Sequence, residues 1–316
     1  MVKRLKKNER GIALLAVMVG IALMTIIVVD FATSTQFGFM SAANQVNELR
    51  SYYLARSGVS VGLALIAAKD RDAVLNPTPG QAMIDTLGDR WAAPYSPADI
   101  DGGKASVVVV DEARKLNING LLNSDRTVNQ LALARMQLLF TILNLSPDLV
   151  SAIVQWTGPS GLSSSGMFNV GLVPPRNGPM PTIGDLKMVP GITDAIFNRL
   201  RPFLTVVPLG DNRININTAP PEIIASLDPS LAEDTKLVEA IVQERTIRPF
   251  QQASDFTVGL DPAVAARIMK LGFNMQSQFF TIRGMGSFAG TRKIIDATFA
   301  RVGPTGTYGL VSWQED

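Results

Sequence analysis

The sequence predicts an α+β protein in which one long N-terminal helix packs on a small antiparallel sheet, with a large helical domain inserted into that sheet. Residues 12–68 contain no proline and keep apolar residues at helical spacing, which predicts a helix roughly 85 Å long. Strand patterns lie at 104–119 and at 276–316, on either side of a mainly helical stretch. Because strands flank helices, the simplest architecture is a sheet interrupted by a helical insertion.

The chain begins with an apolar segment long enough to cross a bilayer. Ile12–Val29 carries no charged side chain, and Asp30 ends the run. About 18 residues at 1.5 Å each reach about 27 Å, close to the thickness of the hydrocarbon layer. We predict a membrane span over residues 12–29, with a cytoplasmic N-terminus because five basic residues precede it: Lys3, Arg4, Lys6, Lys7 and Arg10.

This segment has three possible roles. A cleavable secretory signal has a shorter apolar region, about 7–15 residues, followed by a small-x-small cleavage site. A plain signal anchor fits the length of the run. The third role is a segment that is cut at one point and then used as part of the mature protein.

Composition argues against the common kinds of active site. The chain of 316 residues has no cysteine and no histidine, which excludes disulfides, Ser-His and Cys-His dyads and the usual zinc sites. The phrase GMGSFAG at Gly284–Gly290 is neither a phosphate loop nor a nucleophile elbow, and we predict a hairpin there. We therefore predict that the protein is not an enzyme. Its net charge of +2 does not imply a polyanionic partner.

The remaining chain divides into three parts: a first α/β part at 69–120, the helical insertion at 121–275 and returning strands at 276–316. Within 104–119, a β-branched run, an Asp-Glu turn and a second short run predict a hairpin.

A short phrase occurs twice, as KLNIN at Lys115–Asn119 and as RININ at Arg213–Asn217. We interpret both as strand-to-helix caps, with Thr218 capping the second helix. Leu186–Thr193 is similar to the turn of a helix-hairpin-helix motif, which holds DNA through backbone N–H groups and nearby cations.

DNA binding needs several uncompensated cations. Around the turn at Leu186–Thr193 we expect Arg199 and Arg201 to be paired with Asp185 and Asp194. We therefore expect no nucleic-acid partner.

The N-terminal pattern resembles a type IV pilin or pseudopilin precursor: a basic leader, the phrase ERG, an uninterrupted apolar half-helix and then an amphipathic half-helix. The resemblance implies that residues 1–11 are a leader peptide and that prepilin peptidase cuts between Gly11 and Ile12. Ile12 then becomes the methylated N-terminus. Most members carry Glu at the fifth mature position, where this chain has Ala16.

Together with the glutamate-free leader, six further phrases in order resemble the K-type minor pseudopilin family of type II secretion systems: DEARKLNING, AIVQW, PPRNGPMPTIGDLKMVPGIT, RININTAPPEIIASL, ERTIRPF and LVSWQED. This resemblance implies a pseudopilin fold with a large inserted helical domain. It implies a place at the tip of the periplasmic pseudopilus, where the protein starts assembly and supports export across the outer membrane.

The implied partners are the I- and J-type minor pseudopilins, the major pseudopilin, prepilin peptidase and the inner-membrane assembly platform. The implied location is the bacterial inner membrane, single-pass, with a periplasmic globular part. Some members bind calcium, which takes about six to eight oxygen ligands. We interpret the acidic grouping upstream of the insertion as a solvated loop and turn and assign no metal ligands to it: Asp99, Asp101, Asp111 and Glu112.

The sequence departs from the family at Gln155, which precedes Trp156 where many members have Asp. Two alternatives stay open. One is a membrane-anchored helix-hairpin-helix protein of DNA uptake, and the other is a minor pilin of a type IV pilus.

Overall fold

The structure, a computed structural model, describes residues 6–77, 83–93, 95–159, 176–208, 213–303 and 305–316. A single helix begins the described part of the chain, and a five-stranded antiparallel sheet packs against its second half. The elements of this part are α1 (Lys6–Leu75), β1 (Ala98–Ile100), β2 (Gly103–Asp111), β7 (Phe279–Phe288), β8 (Thr291–Arg301) and β9 (Tyr308–Glu315).

The sheet has the order β1-β2-β7-β8-β9. The chain leaves it after Asp111 and returns at Phe279, so the segment between β2 and β7 is an insertion. That segment contains β3 (Leu116–Asn117), α2 (Gln130–Ile142), α3 (Asp148–Thr157), α4 (Asp194–Leu200), β4 (Leu204–Thr205), β5 (Ile214–Asn215), α5 (Pro221–Ala225), α6 (Pro229–Glu233), α7 (Thr235–Ile247), α8 (Ala253–Thr257), α9 (Pro262–Leu271) and β6 (Phe273–Asn274).

Each part has its own hydrophobic core. In the sheet domain, Ala55, Val59 and Ile66 of α1 pack with Phe280 and Ile282 of β7. A separate and larger cluster fills the insertion. The predicted class, an α+β fold with a long N-terminal helix and an inserted helical domain, is confirmed.

The helix is longer than the predicted 12–68 and runs from Lys6 to Leu75. Its last turns are polar but compatible with a helix, and the first proline of the chain is Pro77. Proline lacks the N–H and disfavours the helical conformation of the residue before it, so the helix ends there.

The hairpin predicted over 104–119 is wrong. β2 pairs with β1 and β7, whereas β3 pairs in parallel with β4 inside the insertion. The reason is a 3₁₀ turn at Glu112–Arg114, which directs the chain out of the sheet. The Asp111 carboxylate caps this turn by accepting the N–H of Ala113 at 2.8 Å. The hairpin predicted at Gly284–Gly290 is present, with its turn at Ala289 and Gly290.

Glycines bring α1 into direct backbone contact with the sheet. A Cβ added to Gly284 would lie 2.0 Å from the carbonyl oxygen of Ala55, and one added to Gly286 would lie 2.0 Å from that of Ser51. Such distances leave no room for any side chain. The Gly-Met-Gly phrase of β7 is therefore the point at which the backbone of α1 packs directly on the sheet.

The insertion consists of two similar units, and the repeated phrase opens each of them. In the first unit the Asn119 side chain accepts the N–H of Met180 at 2.8 Å and donates to its carbonyl at 3.0 Å. In the second, Asn217 does the same to Phe250, at 2.9 Å for both bonds. Short parallel strand pairs complete the units, β3 with β4 and β5 with β6.

The phrases are therefore more than two unrelated caps. Asn117 and Asn215 accept the N–H groups of Asn119 and Asn217, as caps do. Thr218 does not cap α5, because that helix starts at Pro221 and the Thr218 hydroxyl donates to Asp111 instead. A second repeat, AIVQ at 152–155 and at 240–243, also indicates in the sequence that the insertion contains two similar units.

Candidate functional site

Helix α1 has an exposed half and a buried half. Every apolar side chain from Ile12 to Met40 lies open, with Phe39 exposed by 77%. The burial changes at Ser51, which is fully buried against the sheet. The segment has a mean hydropathy of 3.0 over its most apolar window, none of which is buried, so it is long and apolar enough to cross a membrane.

The three residues singled out from the sequence lie together in the first described turns of this exposed half. Gly11, Ile12 and Ala16 are all exposed, and apart from the neighbouring helix backbone no described atom lies within 4 Å of the position of a Cβ on Gly11. Ile12 and Ala16 are four residues apart, about 6 Å along the axis. The first carboxylate after Gly11 is Asp30, about 27 Å from Ile12 along the helix axis.

A buried ion cluster joins the end of α1 to the sheet and to the connecting segment. Arg301 of β8 donates to both oxygens of Asp70 at 2.8 and 2.9 Å, and to both oxygens of Asp85 at 2.8 and 3.0 Å. The Tyr308 hydroxyl also donates to Asp70, at 2.7 Å. All three charged groups are buried, and Lys69 adds a bond to Asp85 at 2.9 Å.

The cluster keeps its ionic form. Burial alone would raise the pKa of the Asp85 carboxyl, but the bonds and charges of Arg301 and Lys69 outweigh it and lower that pKa. Burial likewise opposes the charge of Arg301, and its two carboxylate partners nevertheless hold its pKa above the ordinary value. Removing either side would leave an unpaired buried charge.

A second buried network, centred on Asp111, joins the sheet to the insertion. Its carboxylate accepts from Ser277 at 2.6 Å, from Asn215 at 3.2 Å and from Thr218. Burial raises the pKa of this carboxyl to about 6, with the charge of Asp85 adding to the effect and the hydroxyl bonds opposing it.

The acidic grouping predicted from the sequence does not exist as a group. Asp99 and Asp101 are exposed at β1 and its turn, whereas Asp111 and Glu112 are buried. The solvated turn expected at Asp111 is thus wrong, because the chain leaves the sheet there and buried donors surround the carboxylate. Within the described parts of the chain, no group of three or more acidic side chains could hold a metal ion.

The charge pairs expected at the hairpin-like turn are also different. Asp194 pairs with Lys187 at 2.7 Å, and Asp185 accepts from the backbone and hydroxyl of Thr182 at 2.9 Å. The Arg199 guanidinium donates to the carbonyl of Leu143. The predicted pairing of Arg199 and Arg201 with these acids is therefore wrong, because each carboxylate is used within its own turn.

Two family models match the insertion, and both carry the description "Type II secretion system (T2SS), protein K". They cover residues 114–209 and 214–269, and each range lies in one of the two repeated units. The chain belongs to the type II secretion system protein K family. This membership favours the secretion-system hypothesis over the pilus and DNA-uptake alternatives.

Relatives match along nearly the whole chain. The type II secretion system protein K of Pseudomonas aeruginosa is 24% identical, over 94% of this chain and 90% of the relative. That of Aeromonas hydrophila is 23% identical, over 93% and 94%. A chain of the GspK-GspI-GspJ complex from the enterotoxigenic Escherichia coli Type 2 Secretion System has the same fold, with a TM-score of 0.70, 17% identity, and coverage of 87% of this chain and 99% of that one.

Family membership makes the chain a minor pseudopilin. The residues of the buried ion cluster could be predicted only in part from the sequence. Asp70 follows Ile66 by four residues on the buried face of α1, so an acid on an apolar face was the available evidence. Nothing local identifies Arg301 as its partner, because 231 residues separate the two.

Proposed function

We propose that this chain lies at the tip of a type II secretion pseudopilus, where it starts assembly together with I- and J-type minor pseudopilins and supports protein export across the outer membrane. The observation that carries the proposal is the exposed apolar half of α1, which continues without a break into the helix seated on the sheet. An apolar surface of this length requires cover, first by lipid and then by the helices of other subunits.

The proposed mechanism has two stages. Before assembly, residues 12–29 lie in the inner membrane with the basic leader in the cytoplasm and the globular part in the periplasm. Cleavage after Gly11 then creates an ammonium group at Ile12. The helix leaves the bilayer and packs into a bundle with other subunits.

Ala16 supports a terminal position. In pilins a carboxylate at this position is thought to pair with the terminal ammonium of a neighbouring subunit, which compensates a charge that is costly in an apolar bundle. This chain offers no carboxylate between Gly11 and Asp30 to such a neighbour. A subunit of this kind fits the end of a fibre, with no copy above it.

Mass spectrometry of the N-terminus tests the processing step. When the full chain is co-expressed with prepilin peptidase, we expect a mature protein that begins at a methylated Ile12. Gly11→Val should block cleavage. Gly20→Val is the matched control, because Gly20 is equally open on α1 and should leave cleavage intact. A wild-type chain that keeps residues 1–11 would refute the proposal.

Labelling of sheared pseudopili tests the tip position separately. An epitope after Asp316 should be found at one end of each fibre in electron micrographs. Labels spaced along the fibre would contradict the terminal position while leaving the processing step unaffected.

A further inference from the structure

Arg135 is a buried cation that has no partner for two of its nitrogens. It lies in α2 with 7% of its surface exposed, and among the described residues neither its Nε nor its Nη2 has an acceptor. Buried guanidinium groups normally face a carboxylate or carbonyl, because an unpaired buried charge is costly. Burial lowers the pKa of Arg135 to about 10.

Two other arginines with buried guanidinium groups do have acceptors. Arg245 of α7 is 6% exposed and donates to the carbonyl of Ile216. Arg301 holds two carboxylates. Arg135 is therefore a buried guanidinium for which the described residues supply no acceptor to two nitrogens.

Arg135 lines a pocket of about 130 Å³ at the start of α2. This volume holds several water molecules or one small oxyanion. Asn117, Asn129 and Arg213 also line the pocket, and none of the described residues that line it is acidic. Asn129 is the cap of α2, so the positive end of a helix of 13 residues also faces this space.

We propose that this pocket binds a small oxyanion, a carboxylate or a phosphate, through the guanidinium of Arg135. The planar fork of Arg matches two oxygens of either group. A bound oxyanion would supply the missing countercharge and would stabilise the first repeated unit, because it touches both β3 and α2. The proposal does not depend on the tip position.

Unfolding of the full chain in detergent micelles tests the proposal. Sodium acetate and inorganic phosphate are compared with sodium chloride at constant ionic strength, and tryptophan fluorescence follows unfolding. At ten times its dissociation constant, the bound ion should raise the unfolding midpoint of the wild type by roughly 3–6 °C, and the rise should saturate.

Variants separate a specific site from general salt effects, since some anions stabilise proteins by exclusion from the surface. Arg135→Met should lose the saturable rise and, without the anion, should be at least as stable as the wild type. Arg135→Lys keeps the charge without the fork and should show a weaker rise. Arg245→Met, a buried arginine outside the pocket, should keep the full rise.

Each outcome has a meaning. A rise with acetate alone identifies a carboxylate ligand, a rise with phosphate alone identifies a phosphate ligand, and a rise with both identifies a general oxyanion site. Equal rises in the wild type and in Arg135→Met, or no rise in the wild type, would overturn the proposal.

Discussion

Asp111 makes the stability of this protein depend on pH in an unusual direction. Its carboxyl is fully buried, and burial raises its pKa from 3.8 to about 6. The native state therefore holds a proton that the unfolded chain releases between these two values. The contribution of Asp111 is fully present below pH 3.8 and is lost as the pH rises through about 6.

The size of this loss follows from the two pKa values. The difference between about 6 and 3.8, at ~1.4 kcal/mol for each pH unit, gives about 3 kcal/mol. The free energy of unfolding should fall by this amount between about pH 4 and pH 7. Asp85 acts in the opposite sense but only at lower pH, because its lowered pKa makes its contribution disappear as the pH falls below about 4.

Asp111→Asn tests this reasoning. An amide keeps an oxygen that can accept the N–H of Ala113 but cannot ionise, so the fall in stability between pH 4.5 and 8, about 2 kcal/mol of the total, should disappear. Urea unfolding of the full chain in mild detergent measures it, with Trp91 reporting on the sheet core. Asp99→Asn removes an exposed aspartate and should keep the wild-type slope. If Asp111→Asn also keeps that slope, the buried-acid argument is wrong.

Three further substitutions probe the packing. Gly284→Ala should destabilise by about 3 kcal/mol because the new Cβ meets backbone rather than a movable side chain, whereas Gly38→Ala on the open part of α1 should not, as urea midpoints will report. Asn119→Ala should lower the free energy of unfolding by about 2–4 kcal/mol, because the buried N–H and carbonyl of Met180 would lose their partner. Asn198→Ala, at an exposed position, is the control. Equal losses in the two variants would contradict a structural role of the Asn119 hydrogen bonds. Arg301→Met should cost about 3–5 kcal/mol by leaving two buried carboxylates unpaired, and a neutral effect in calorimetry would show that the cluster is not ionic.

Local patterns predicted the elements whose structure depends on local chemistry. The run from Ile12 to Val29 needs no partner to be apolar and helical, so its length alone predicts a membrane-crossing segment. Within the strand pattern at 276–316, Ile295, Ala297 and Phe299 alternate with polar residues, and these three side chains are buried in β8. The absence of proline up to Pro77 allowed the long helix.

Patterns failed where the partner is distant in sequence. The predicted hairpin pairs β2 with the next short strand-like segment along the chain, although β2 pairs with β7, which begins at Phe279. The repeated Asn phrases do lie at strand ends, as predicted. The hydrogen bonds from Asn119 to Met180 and from Asn217 to Phe250, however, join residues 61 and 33 positions apart. Side-chain hydrogen bonds of this range leave no periodic pattern.

The sequence by itself determined the apolar segment, the phrase ERG that precedes it, the alanine at position 16 and the alternation of strands and helices. All of these are properties of neighbouring residues. The tertiary structure alone decided which polar groups are buried. Asp70, Asp111 and Arg301 are ordinary charged residues in the sequence, and they are buried because helix, sheet and insertion pack together around them. A group buried in this way stays charged only if it has a partner of opposite charge.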